Sequence, residues 1–343
     1  MFGKKSNLIG LALSGICLFL VFRKVDTTRL LASLSGLNVG YLLAALGVFL
    51  STFLVRALRW KTLLSTSQAL PTRQVLGIVM IGYMANNLLP ARLGEFVRAY
   101  VLRVRTGIRK STSLATILVE RIFDGLSLLF ILGALLLAHK LGWLSLKHDF
   151  PDSIQWAGGF AGAVFVSAFA VLLALEMHAP LGDTIRGLLR KWLPDGLATR
   201  LCELLDAFVE GIGCVRNAGV MAFVMGASLL IWSIEGVTYA LVGQAFHLEL
   251  PLRAFLITMV IVNLGTLIPS APGFIGTFQL FCWISLGLFA IPKETAVSYG
   301  LVLNLLEYLP VTIIGVACLL AMNLSFRSVV RGQNQPEPEG NAT

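Results

Sequence analysis

Apolar runs that can cross a bilayer dominate the chain: Leu8–Phe22, Tyr41–Leu58, Leu114–Ala138, Ile154–Leu175, Val220–Phe246 and Thr295–Met322. Each has to be a helix, because a lone strand in lipid leaves its backbone groups unpaired. The first is short, but flanking Lys and Arg side chains snorkel to the interface. Composition removes the soluble alternative. With 57% hydrophobic and 13% charged residues, the chain has about half the charged fraction of a soluble domain and too little polar surface to coat one. Lys4-Lys5 ahead of the first run imitates a signal peptide. Phe19-Leu20-Val21-Phe22-Arg23 offers no small-residue cleavage site, however, so the run reads as a retained signal anchor. The net charge of +9 reflects basic loops on an anionic leaflet rather than nucleic-acid binding.

Two further apolar stretches are broken. Val75–Leu89 is stopped by Pro90, and a more polar segment, Arg92 to Arg105, follows. Leu252–Ile268 is stopped by Pro269, then Pro272, Gly273 and Gly276, before a second apolar half runs to Ile291. Each half falls short of the ~20 residues a span needs, so both read as re-entrant hairpins. With Lys4-Lys5 in the cytoplasm and both hairpins returning to their starting side, 17 of the 27 Lys and Arg fall on the cytoplasmic side, 7 outside, and Arg56, Arg92 and Arg121 at membrane depth. That bias places both termini in the cytoplasm of a multi-pass plasma-membrane (inner-membrane) protein.

The hairpins resemble each other. Leu88-Leu89-Pro90-Ala91 matches Leu267-Ile268-Pro269-Ser270 at an offset of 179 residues, which sets Arg56 over Glu235. With about four residues inserted at the second tip, Asp124 falls over Glu307. The expected architecture is thus an all-α integral membrane protein with six spanning helices, two re-entrant broken hairpins and an inverted repeat. The repeat halves are about 40–138 and 220–322 in a transmembrane domain of residues 1–332. A cytoplasmic amphipathic linker, about 180–217, joins them, and a disordered tail, 333–343, ends the chain.

Charged groups inside the spans mark the candidate site, since each costs at least ~2.5–3.5 kcal/mol at mid-helix. Glu120, Arg121 and Asp124 lie in the third run, Arg56 in the second, Glu235 in the fifth and Glu307 in the last. Asp124 and Glu307 are expected to form a carboxylate pair at the repeat interface. Ion pairs that lock helices together are the alternative. At the first tip, Asn86-Asn87 precede Pro90, and Arg92, Gly94, Glu95 and Arg98 follow it. Pro90 pre-sets a new helix whose free amides favour an anion. Arg92 adds a planar fork suited to phosphate, and Glu95 is placed to orient Arg92 or Arg98. At the second tip, Pro269, Pro272, Gly273 and Gly276 expose further amides.

Asn86-Asn87-Leu88-Leu89-Pro90-Ala91-Arg92-Leu93-Gly94-Glu95, Val119-Glu120-Arg121-Ile122-Phe123-Asp124 and Pro272-Gly273-Phe274-Ile275-Gly276 together resemble a known family. It is the flippase-like transmembrane region of lysylphosphatidylglycerol synthases, which also occurs as stand-alone proteins of the UPF0104 type. The resemblance covers roughly Leu8 to Met322. The family's second tip usually carries two adjacent glycines and a following carboxylate; Phe274 and Gln279 stand there instead. A short polar tail follows the last run, so synthase activity is not expected. The resemblance implies movement of an anionic phospholipid or polyprenyl-phosphate-type lipid between leaflets. A secondary transporter of a small anion and a non-transporting membrane subunit of envelope synthesis remain as alternatives. An enzyme is the least favoured reading, because no nucleophile–base pair, cofactor motif or metal constellation stands out among the motifs. Expected partners are the lipid itself, a second copy of the chain or an envelope-synthesis enzyme.

Overall fold

The computed structural model describes residues 14–21, 23, 26–65, 67–89, 93–142, 179–192, 194–212, 217–267 and 271–326, with isolated residues between 159 and 170. The described regular structure is helical: α1 (residues 14–21), α2 (Thr27–Ser35), α3 (Val39–Leu64), α4 (Thr72–Leu88), α5 (Gly94–Thr106), α6 (Lys110–Lys140), α7 (Ala179–Trp192), α8 (Asp195–Ile212), α9 (Ala218–Ala245), α10 (Leu252–Gly265), a 3-10 turn (Pro272–Phe274), α11 (Thr277–Gly287) and α12 (Lys293–Ala321). Four of these, α3, α6, α9 and α12, are long and apolar enough to cross a membrane. Only part of the Leu8–Phe22 run is described, and most of Ile154–Leu175 and the tail 333–343 lie outside the described residues.

Local chemistry sets the helix starts. Asn38 caps α3 by accepting from the amides of Gly40 and Tyr41, and Asn217 caps α9 by accepting from Gly219 and Val220. An Asn side chain satisfies amides that have no partner in the first turn. Pro71 and Pro251 precede α4 and α10. The order long helix, broken pair, long helix therefore occurs twice with like starts.

Contacts at the two ends orient the bundle. The Asn38 amide donates to the Ala245 carbonyl at 3.0 Å, so α3 and α9 run antiparallel and pack along much of their length. His247 Nε2 lies 3.1 Å from the Gly36 carbonyl, and Lys293 Nζ donates to the carbonyls of Leu20 and Arg23 at 3.1 and 2.9 Å. At the other end Lys61 donates to Thr72 at 3.2 Å, and Arg105 reaches the Met322 carbonyl. Thus α4–α5 begins and finishes at the Met322 end, while α10–α11 begins beside Ala245 and finishes beside Lys293.

The apolar surface points outward. Only 17% of the most apolar window of α12 is buried, and Leu305, Leu309, Ile313 and Leu320 are exposed. Such a stripe is a liability in water and a lipid face in a bilayer. In the linker, α8 packs on α6, Arg186 pairs with Asp206 at 2.8 Å, and Leu188 and Trp192 are exposed.

Candidate functional site

A cavity of about 430 Å³ lies among α3, α4, α6, α9 and α12, against both broken tips. Of the sequence-expected residues, Arg56, Asn86, Asn87, Glu95, Arg121, Asp124, Gly273 and Glu307 line it. Pro90, Arg92 and Pro269 lie outside the described residues.

Asparagines position the tips. Asn86 Oδ1 accepts from the Gly94 amide at 2.8 Å, bridging the break between α4 and α5. Asn87 donates to the Tyr308 carbonyl at 3.1 Å and to Thr312 at 3.0 Å, and Asn304 donates to the Gly273 carbonyl at 3.1 Å. Both tips are therefore tied to α12. Gly276 has φ +93° and sits against α1, where an added Cβ would crowd the Ser14 carbonyl. Gln279 accepts from the Gly276 amide at 2.7 Å and closes the start of α11. Phe274 sits at φ 57°, a left-handed conformation that favours glycine.

Behind the cavity runs an ion-pair network. Arg59, fully buried, pairs with Asp124 at 2.5 Å and Glu120 at 3.3 Å, and donates to Ser228 at 2.6 Å. Arg98 pairs with Glu120 at 2.7 Å and stacks 3.5 Å over Trp60. Arg121 holds Asp124 at 3.1 Å and Glu95 at 3.7 Å. Arg56 pairs with Glu235 at 2.7 Å, donates to the Tyr83 hydroxyl at 2.9 Å and lies over the Trp232 ring.

Several expectations change here. Glu95 faces Arg121, while Arg98 pairs with Glu120 instead; Arg92 lies outside the described residues. Asp124 is held by Arg59 and Arg121, and it shares the cavity with Glu307 with no hydrogen bond between the two acids among the described residues. Arg98 and Glu120 buttress the network and do not line the cavity. Gly276 does not line it either, and Pro272 lies in the adjoining 3-10 turn. Arg59 and Arg98, counted above with the cytoplasmic charges, are buried. Sequence reasoning left Arg59, Tyr83 and Trp232 out of the site. The signal for Arg59 was its place with Arg56 late in the second span, at a helical spacing of three.

Beside this cavity an apolar groove of about 710 Å³ runs between α3, α4 and α12, with Arg73 and Arg105 among its lining residues. Phe53 lines both spaces.

Fold and site together define a polytopic helical membrane protein with a charged cavity inside its bundle. The chain belongs to the lysylphosphatidylglycerol synthase transmembrane-region family, whose profile matches residues 7–315. It is similar to glycosyltransferase AglD of Haloferax volcanii, 24% identical over 347 residues, and spans 94% of its own length but only 55% of that protein's. It is also similar to a UPF0104 membrane protein of Methanocaldococcus jannaschii, 26% identical over 67% of this chain and 90% of the relative. A UPF0104 membrane protein of Methanothermobacter thermautotrophicus is 28% identical over 79% of this chain and 80% of the relative.

Proposed function

We propose that this chain is a lipid translocase that moves an anionic phospholipid or polyprenyl-phosphate-type lipid between leaflets, without enzymatic activity of its own. The observation that carries the reading is the charged cavity meeting an apolar groove at Phe53. A head group in the first and tails along the second suit an amphiphile better than a small solute. Arg92, at the first tip beside the start of α5, is the phosphate ligand in this reading. The relative named a glycosyltransferase favours a lipid that carries or accepts a sugar. In the same reading the chain makes six spans in the plasma membrane with both termini cytoplasmic. The broken pairs are re-entrant, and the halves at about 40–138 and 220–322 form an inverted repeat. The matching helix starts and the antiparallel α3–α9 contact support that arrangement.

The test is reconstitution in liposomes with fluorescent anionic lipids. Purified protein should speed their exchange between leaflets, and Arg92→Lys should not restore what Arg92→Ala loses. No exchange of any anionic lipid tried, with or without a pH gradient, ends the reading.

A further inference from the structure

We propose that Glu307 is a proton-binding site built into the cavity wall. Among the described residues around the cavity, four arginines (Arg56, Arg59, Arg98, Arg121) meet five acids (Glu95, Glu120, Asp124, Glu235, Glu307). Four of the acids lie in ion pairs. Glu307 lies in none among the described residues, and its Oε1 is closed to solvent with no hydrogen-bond partner.

The two halves explain the deficit. The offset that sets Asp124 over Glu307 sets Arg121 over Asn304, and the offset that sets Arg56 over Glu235 sets Arg59 over Thr238. Asp124 is held by both of its arginines. At the matching positions around Glu307 stand an amide, already donating to the Gly273 carbonyl, and a hydroxyl donating to the Ile234 carbonyl. Glu307 is half-buried, and a carboxylate with one oxygen closed off and unpartnered favours its protonated form over the ionised one.

The surroundings leave a route for that proton to go. Facing Glu307 are Arg56 on α3, Tyr83 on α4, Arg121 and Asp124 on α6, Glu235 and Tyr239 on α9, Cys282 on α11, and Tyr299 and Tyr308 on its own helix. Helix α2 brings no charge to it, since Asp26 and Arg29 pair with each other at the exposed start of that helix. Arg56 lines the same cavity as Glu307. It spends Nη1 and Nη2 on Tyr83 and Glu235 but leaves a buried Nε–H without an acceptor. When the proton leaves the Glu307 carboxyl for the cavity, Arg56 supplies the replacement charge.

Infrared spectroscopy of the purified protein in lipid nanodiscs tests this whether or not the protein moves lipid. Near neutral pH the protein should show a protonated-carboxyl stretch that shifts on ¹³C-glutamate labelling. Glu307→Gln should remove that band. Glu307→Asp should keep it but make it sensitive to ¹³C-aspartate instead, which serves if the glutamine variant does not fold. A band absent from the parent, one that persists in Glu307→Gln, or one erased by sodium chloride but not by choline chloride overturns the assignment. The last outcome means a metal cation, not a proton, balances the charge.

Discussion

At the scale of single residues, Arg59 carries the most. It is fully buried and shared by two acids and a serine. Arg59→Ala should destabilise the protein by about 3–5 kcal/mol, because it strands carboxylates that were paired. Thermal unfolding in detergent reads this out, and a loss under about 1 kcal/mol would mean the acids are hydrated like surface pairs. Arg59→Lys should recover only part of it, since a point charge cannot serve Asp124 and Glu120 as a fork does. A different residue contrast comes from Arg56 and Glu235. In a double-mutant cycle with Arg56→Gln and Glu235→Gln, the coupling energy should fall in the range of about 0.5–3 kcal/mol expected for residues in contact. Additive losses would show that the contact contributes nothing of its own.

At the scale of elements, the first broken pair depends on a close approach. An added Cβ on Gly94 would overlap the Gly82 carbonyl oxygen and the Asn86 side chain, whereas Gly133 in α6 has nothing within 4 Å of that position. Gly94→Ala should therefore wedge α5 away from α4 at about 1–3 kcal/mol. Gly133→Ala should be neutral or slightly stabilising, and equal melting temperatures for the two variants would refute the close approach.

The helices themselves were legible in sequence. The run Tyr41–Leu58 lies within α3, Leu114–Ala138 within α6, and prolines mark both breaks, because run length and helix breakers are local properties. Partner choice was not legible. Glu95 meeting Arg121, or Glu307 lying in no ion pair among the described residues, depends on how α5, α6 and α12 pack, and no periodicity within one helix encodes that. The role of Gln279 was equally hidden. It looked like a missing charge and is a backbone cap.

At the scale of the whole molecule, sidedness is the open test. Cysteines introduced at Ser67 and Gly107 should both react with an impermeant reagent added from one side of the membrane. Cysteines at Glu249 and Ala290 should both react from the other. If Ser67 and Gly107 label from opposite sides, the α4–α5 pair crosses the bilayer instead of turning back inside it.

The Arg56–Glu235 contact has a further consequence. The two residues stand 179 residues apart, the same separation as the capping residues Asn38 and Asn217. In the repeat proposed above they occupy one and the same place in the two halves, and they touch. In a dimer of identical half-length chains, a position that touches its own copy on the two-fold axis meets only itself. Arginine would face arginine there, or glutamate would face glutamate. Attraction at that point is open to halves of different sequence, such as those joined in one chain. If such a half-length dimer preceded this chain, the ion pair is younger than the fusion. It is also a lock against going back, since either half expressed alone would pair like with like at its own centre.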